Sequence, residues 1–512
     1  MLEQLSEIAA HPLADAVRAR GIISGLPADD PATALEEVTF WLGSVSHADG
    51  FHLDARFASI DLLDAAARQR QHALLNEYLV LTRNQIFQEN RVWTVAYNFW
   101  KQLGHAYLLS VDLCAAGAIG GQGVRDNLPQ VVARAVNALG NQLKWLLLRY
   151  SPIDERIWEE LFRMYQFAEE KEFHNVLIEL HPGSPVQTSV KRELLKALML
   201  AVSSTDSLVP ASLETAAQTI AYLAPAFAME PQPAGGCGYA IDLDLPRAPW
   251  RTLNGRQAGS ALRYFGPGRT LVELDRLLDA IRTRNELPHG INFDVAGDPA
   301  DIAPIMRHLR SHWADAPRGR RTQRRPTATR LTVVGGLHSI LHLLDPRNPL
   351  PVAEDRASES WIVENVSDSG FGAIVPLVKG EWVRVGSLVG IKPELAKYWG
   401  IGIIRRIGRD QHRQLRTGIE ALSQAVIPVR IARAEPTSSA APGADFESAL
   451  LLSTTPDASG EVTLLLRKGL FDPAHRFEME VRNKHYLLMP SRQVEAGEDF
   501  DRISFRIAPK NV

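Results

Sequence analysis

The 512-residue chain predicts an α+β multidomain protein: an N-terminal α-helical bundle or solenoid, a small α/β segment, a small β-barrel and a C-terminal β-rich unit. Three observations carry this prediction. Apolar residues recur at intervals of three and four through residues 1–228. Short β-branched runs separated by turn residues dominate beyond an arginine cluster at 318–330. Stretches rich in Pro, Gly or Ser divide these textures. The expected domains are 1–228 (helical), 229–316 (small mixed α/β), 317–434 (β-barrel) and 435–512 (β-rich).

In the first of these, Leu62, Leu63, Ala66 and Ala67 lead into Leu74, Leu75, Leu79 and Leu81 on one helical face. Val92, Val95, Ala96, Phe99, Trp100 and Leu103 trace another. Further helices are expected over Val131–Leu148, Glu155–Ala168 and Lys191–Ala201. Aromatic residues at such spacing belong to a core, and no repeat signature names a specific solenoid. Between 229 and 316, Pro231, Pro233, Gly235, Gly236 and Gly238 form a joint. Strands are expected at Tyr239–Leu245 and Ala261–Phe265, then helices over Leu271–Ile281 and Asp301–Trp313.

Six arginines and no acid lie between Arg318 and Arg330. After them, barrel strands are expected at Leu331–Val334, Ser360–Val363, Ala373–Val375, Trp382–Val385, Ile401–Ile404 and Val426–Ile431. A Pro-, Ser- and Ala-rich joint at 435–443 leads to runs at Ala449–Leu452, Glu461–Leu466, Phe477–Val481 and Ile503–Ile507. These runs make either a separate domain or an extension of the barrel.

Composition narrows the function classes. Hydrophobic residues make up 45% and charged residues 22%, with a formal net charge of −3, so the chain as a whole is no polyanion binder. Its two cysteines, Cys114 and Cys237, form no Cys-x-x-Cys pair, and a reducing compartment is expected. The start of the chain lacks a basic-then-apolar leader, and no apolar run reaches the roughly 18 residues of a membrane span. A cytoplasmic protein is expected.

No catalytic constellation emerges. His308 and His312 share a probable helix, but Leu309 stands where a zinc protease needs glutamate. His338 and His342 have the same spacing beside a strand. His47, Asp49, His52 and Asp54 read as a polar loop. Gly117, Gly120, Gly121 and Gly123 lack the strand and the Gly-Lys-Ser/Thr ending of a phosphate loop. The tripeptide Glu420-Ala421-Leu422 has no metal-binding carboxylates arranged around it as a phosphodiesterase requires. The chain is expected not to be an enzyme and to carry neither metal nor cofactor.

Two polar patterns at the barrel do carry chemistry. Arg321 and Arg325 form an Arg-x-x-x-Arg pair, with Arg320 and Arg324 as a second register. Further on, Asn365-Val366-Ser367-Asp368-Ser369-Gly370 forms an Asn-x-Ser-x-x-Gly turn. Arginine forks donate two parallel bonds to phosphate or to guanine O6 and N7, and the guanidinium plane stacks on bases. Lysine supplies neither fork nor plane. Asn365 offers a donor and an acceptor, the Ser367 hydroxyl adapts to either role, and Gly370 permits unusual backbone or close approach.

With the following segments Tyr398–Arg406 and Arg416–Ser423, these patterns make residues 318 to 433 resemble the PilZ-domain family. The spacing between the two motifs is long because 345–360 reads as an inserted loop. The resemblance implies a PilZ-like β-barrel that receives the bacterial second messenger cyclic-di-GMP. It assigns the ligand to Arg320, Arg321, Arg324, Arg325, Asn365, Ser367 and Gly370, with either arginine register open. Because the arginine-rich joint lies between the N-terminal half and the barrel, a ligand bound there is expected to order the joint and reorient the two halves, with the helical region contacting an unidentified protein partner. Motility, pili, surface polysaccharide or biofilm are the implied outputs. The alternatives are a PilZ-like interaction scaffold that binds no nucleotide, and a nucleic-acid-binding regulator using the Arg318–Arg330 cluster.

Overall fold

The computed structural model describes residues 11–48, 52–81, 85–184, 186–252, 259–287, 298–314, 324–345, 358–376, 382–434, 446–453, 455–481 and 484–509. The chain forms two compact units, Met1–Gly319 and Arg320–Val512.

The first unit is mainly helical. Its helices are α1 (Ala16–Gly25), α2 (Pro31–His47), α3 (Leu53–Val80), α4 (Ile86–Ala115), α5 (Gln122–Asp126), α6 (Leu128–Leu148) and α7 (Glu155–Glu170). A two-stranded ribbon, β1 (Ile178–Glu179) and β2 (Gln187–Thr188), precedes α8 (Val190–Ala201) and α9 (Pro210–Leu223). Polar residues start these helices where the sequence calls for them. Asp30 accepts from the Thr33 amide with Pro31 behind it, Asp154 caps α7, and Ser189 caps α8. α6 packs against α4, α7 and α8, and its Val131, Val136, Leu143 and Trp145 are buried.

A four-stranded antiparallel sheet continues this unit, in the order β3 (Ala228–Glu230), β6 (Leu262–Gly266), β4 (Tyr239–Asp242), β5 (Trp250–Arg251). Helices α10 (Thr270–Arg284) and α11 (Pro299–Trp313) follow. Phe265, Leu274, Met306 and Trp313 share one apolar core with the helices before them. His308 and His312, one turn apart on α11, turn ring nitrogens to the Ser203 and His308 carbonyls at 2.7 and 2.9 Å. Among the described residues, no helix is long and apolar enough to cross a membrane.

The second unit holds two closed antiparallel barrels. The first comprises β7 (Arg325–Gly335), β8 (Glu359–Ser367), β9 (Gly370–Val375), β10 (Leu388–Pro393), β11 (Gly400–Arg409) and β12 (Leu415–Ser423). The second comprises β13 (Ile427–Ala434), β14 (Glu447–Leu451), β15 (Glu461–Arg467), β16 (Arg476–Val481), β17 (Lys484–Ala496) and β18 (Phe500–Pro509). Each barrel follows one path around its wall: first, second, third, sixth, fifth and fourth strand in chain order, then closure. The C-terminal runs are therefore a barrel in their own right.

The strand expected at Val426–Ile431 bonds to β14 and β16, and so lies in the second barrel. Trp382–Val385 is no strand. Trp382 instead stacks on Trp361 with ring centroids 5.7 Å apart, and both indoles donate to the buried Glu359 carboxylate. The strand at that place in the barrel is β10, reached through a turn in which Gly386 has φ 87°. His338 and His342 lie on a short helix, α12 (Leu337–Leu344), not beside a strand. Apolar residues of α12 pack with Leu388 and Ile401 of one barrel and Leu450 and Phe500 of the other. Asp499 accepts from the Leu337 amide at 2.7 Å, tying the helix start to the second barrel.

Candidate functional site

The Asn365–Gly370 motif spans the end of β8, a two-residue turn at Asp368 and Ser369, and the start of β9. Strand β7 begins at Arg325, which pairs with Val366, while Pro326 pairs with Asn365. Arg325, the described end of the arginine pattern, and the Asn365–Gly370 turn, far apart in sequence, thus lie on neighbouring strands of one sheet. Arg324 and Arg325 are exposed, and among the described residues neither makes an ion pair. Arg320 and Arg321, the other halves of the two registers, lie outside the described residues.

A bulge orients Asn365. Val363 pairs with Ala373, but Asn365 pairs with Gly372, so Glu364 is the extra residue on β8. The Asn365 amide lies over Gly372, where an added Cβ would fall 2.7 Å from its Nδ2 and Oδ1. Its Oδ1 is buried with no partner among the described residues. An unmatched buried acceptor is costly unless a ligand or water supplies a donor. Among the described residues, the Ser367 hydroxyl has only long contacts, 3.4 Å to Ser369 Oγ and to the Gly370 carbonyl, which leave room for a shorter bond.

Gly370 is required for a reason the motif does not state. A Cβ there would stand 2.0 Å from the Ile419 carbonyl of β12, so the neighbouring strand's approach demands glycine. Its φ is not among the positive ones.

Charges next to the motif are locked in pairs. Arg416 reaches Glu364 at 3.2 Å and Asp410 at 3.4 Å. Arg405 donates to Glu420 at 2.6 Å and grips both oxygens of Glu495, on β17 of the second barrel. Burial by itself would lower the Arg405 pKa; its bonds to Glu495 and then Glu420 outweigh this and hold it above the ordinary guanidinium value. Arg405 therefore keeps its charge and joins the two barrels.

The site thus presents exposed arginine, a serine hydroxyl and a buried amide oxygen on one sheet. That set suits an anion bearing a planar base with N–H donors. Motif reading missed Gly372, whose only signal is a second glycine inside a strand, a mark of close approach.

No curated protein matches the chain. Residues 16–233, less than half of the chain, match the family described as "Cyclic-di-GMP receptor FimW, N-terminal domain", and this match supports a cyclic-di-GMP receptor family for the chain.

Proposed function

We propose that the chain is a non-enzymatic cyclic-di-GMP receptor whose ligand site is the PilZ-like first barrel of the second unit. The observation that carries this reading is the pairing of Arg325 with Val366 and of Pro326 with Asn365, which brings the described end of the arginine cluster to the strand that carries Asn365 and Ser367. The match of residues 16–233 supports the receptor part of this reading, and it does so from a different part of the chain. In this reading an arginine pair, Arg321/Arg325 or Arg320/Arg324, takes the phosphates and stacks on a base. Asn365 accepts from a guanine N–H through its unmatched Oδ1, Ser367 adds a hydroxyl bond, and Gly370 lets β12 approach the turn that carries them.

The chain passes from one compact unit to the other at Gly319 and Arg320, next to the ligand-binding arginines. A ligand bound beside that boundary would bias how the units engage a protein partner, within the limit of the ligand's differential affinity for the two states. The helical unit is the proposed partner surface, and motility, pili or biofilm the proposed output.

Calorimetry of the full chain with cyclic-di-GMP tests the site. Saturable heat is expected in the wild type, with heat lost in Arg321→Ala/Arg325→Ala or in Arg320→Ala/Arg324→Ala, whichever register binds. No heat with the wild type would leave an interaction scaffold as the better account. Heat unchanged in both double variants would move the ligand elsewhere.

A further inference from the structure

We propose that a groove in the helical unit, where α6, α8 and α9 meet, binds a small zwitterion of the free amino-acid class with an aliphatic side chain. Lys196 takes its carboxylate, and Glu214 with Gln218 takes its ammonium group. The site lies in the first unit and does not rest on the nucleotide reading above.

The groove follows from helical spacing. Its walls are Asn137 to Lys144 on α6, Glu193 to Leu200 on α8 and Glu214 to Ala221 on α9. In each stretch the lining residues fall at i, i+3, i+4 and i+7, one face of a helix. Asn137 bonds to Glu193, and a Cβ on Gly140 would stand 3.6 Å from the Ala197 Cβ, so α6 and α8 run side by side in the same direction. Between the polar ends of these faces stand small residues: Gly140, Ala197 and Ala217. They leave a cavity of about 180 Å³. Pockets for drug-sized ligands run to roughly 300–1,000 Å³. This one has room for a small molecule and none for a dinucleotide.

Two carboxylates are buried in its walls, Glu193 at 2% and Glu214 at 4% exposure. Glu193 is oversupplied with donors. Thr188 Oγ1 donates to its Oε1 at 2.6 Å and Asn137 Nδ2 to its Oε2 at 2.9 Å, and Lys196 Nζ reaches Oε1 at 2.6 Å as well. Glu193 therefore stays satisfied without Lys196. An ammonium carries three donors, and Glu193 is the one partner of Lys196 among the described residues. On α9 the imbalance is reversed. Lys144 Nζ stands 2.8 Å from Glu214 Oε2 but off the line of a hydrogen bond, so that oxygen has no aligned donor. Gln218, one turn further, gives a long 3.3 Å bond to Glu214 Oε1, and its own Oε1 is buried with no partner among the described residues.

Packing alone gives no reason for this arrangement. A seam of apolar side chains is often as stable as buried ion pairs or more so, and unmatched buried acceptors are destabilising. Spare donors on α8 and spare acceptors on α9, facing one cavity, match a molecule with a carboxylate at one end and an ammonium at the other. The two lysines and two glutamates of the groove cancel in formal charge, which favours a ligand without net charge over an anion. Leu200 and Ile220 also line the cavity and are buried, giving an aliphatic side chain an apolar end to occupy.

Thermal melting of the full chain with each free L-amino acid at millimolar concentration tests the site. An aliphatic one, such as valine or leucine, is expected to raise the melting temperature with rising concentration. Calorimetry with that amino acid should show saturable binding, weakened by about tenfold or more in Lys196→Met and in Gln218→Leu. Its N-acetyl and carboxamide derivatives, each lacking one charged end, are expected not to bind. Without ligand both variants should melt no lower than the wild type, because Glu193 keeps Thr188 and Asn137 and the Gln218 oxygen had no partner to lose. If one variant fails to fold, the other decides. In both, cyclic-di-GMP heat is expected to match the wild type, so this site and the nucleotide site stand or fall separately. No shift with any aliphatic amino acid, or binding unchanged in the folded variants, would overturn the site. Equal binding of either derivative would overturn the zwitterion.

Discussion

Gly372 has no side chain because Asn365 occupies the place where one would stand. Gly372→Ala must push the amide aside, and overpacking of this kind costs about 1–3 kcal/mol. The expected result is a lower urea midpoint together with loss of cyclic-di-GMP heat, measured by denaturation and calorimetry on the same preparation. Glu359 shows the opposite case, a buried charge fully engaged. Its oxygens accept from Trp361 at 2.9 Å and Trp382 at 2.8 Å. Glu359→Ala leaves two indole N–H groups without their acceptor, at about 1–3 kcal/mol each where they stay dry. Lower stability and altered tryptophan fluorescence are expected, and an unchanged melting curve would refute the clamp. In the helical unit, burial holds the His181 pKa below the ordinary imidazole value. The unfolded chain therefore takes the proton first. The stability this neutral histidine supports is complete above about pH 6.5 and is lost as pH falls below that value toward the lower folded pKa. His181→Gln should flatten part of that decline in urea midpoints taken between pH 5 and 7.5.

Elements were legible where one periodicity ruled them. The runs at Val131–Leu148, Glu155–Ala168 and Lys191–Ala201 appear as α6, α7 and α8, because a strong apolar stripe and a polar cap agree on each. Legibility failed where tertiary contacts override local preference. Trp382–Val385 has strand-like residues, but Trp382 is drawn onto Trp361 and lies over Gly335, where a Cβ would meet its ring at 2.5 Å. Strand β17 escaped notice because Pro490 and a polar run break its alternation, and two register shifts absorb them. The bulge at Glu364 was invisible for a related reason: a bulge is defined by two strands, not one. At this scale Arg405 and Glu495 link β11 to β17. A double-mutant cycle with Arg405→Ala and Glu495→Ala should give a coupling of about 0.5–3 kcal/mol in the unfolding free energy. Additive losses would mean the contact contributes nothing of its own.

For the whole molecule, the two units carry separate apolar cores: one runs through the helices and the small sheet, and others fill the barrels. Chains cut between Gly319 and Arg320 are therefore expected to fold separately. Each fragment should give its own cooperative melting transition, and cyclic-di-GMP should stabilise only the fragment from Arg320 onward; stabilisation of the other fragment would place the ligand in the helical unit. The division into a helical part and strand-rich parts, and the residue types of the Arg-x-x-x-Arg and Asn-x-Ser-x-x-Gly patterns, were determined by the sequence alone, since periodicity and side-chain chemistry are local properties. That Arg325 stands beside Val366 and that Gly370 yields to the Ile419 carbonyl were decided only by tertiary structure. Strand register joins residues distant in the chain, and a single bulge reverses which face a side chain takes.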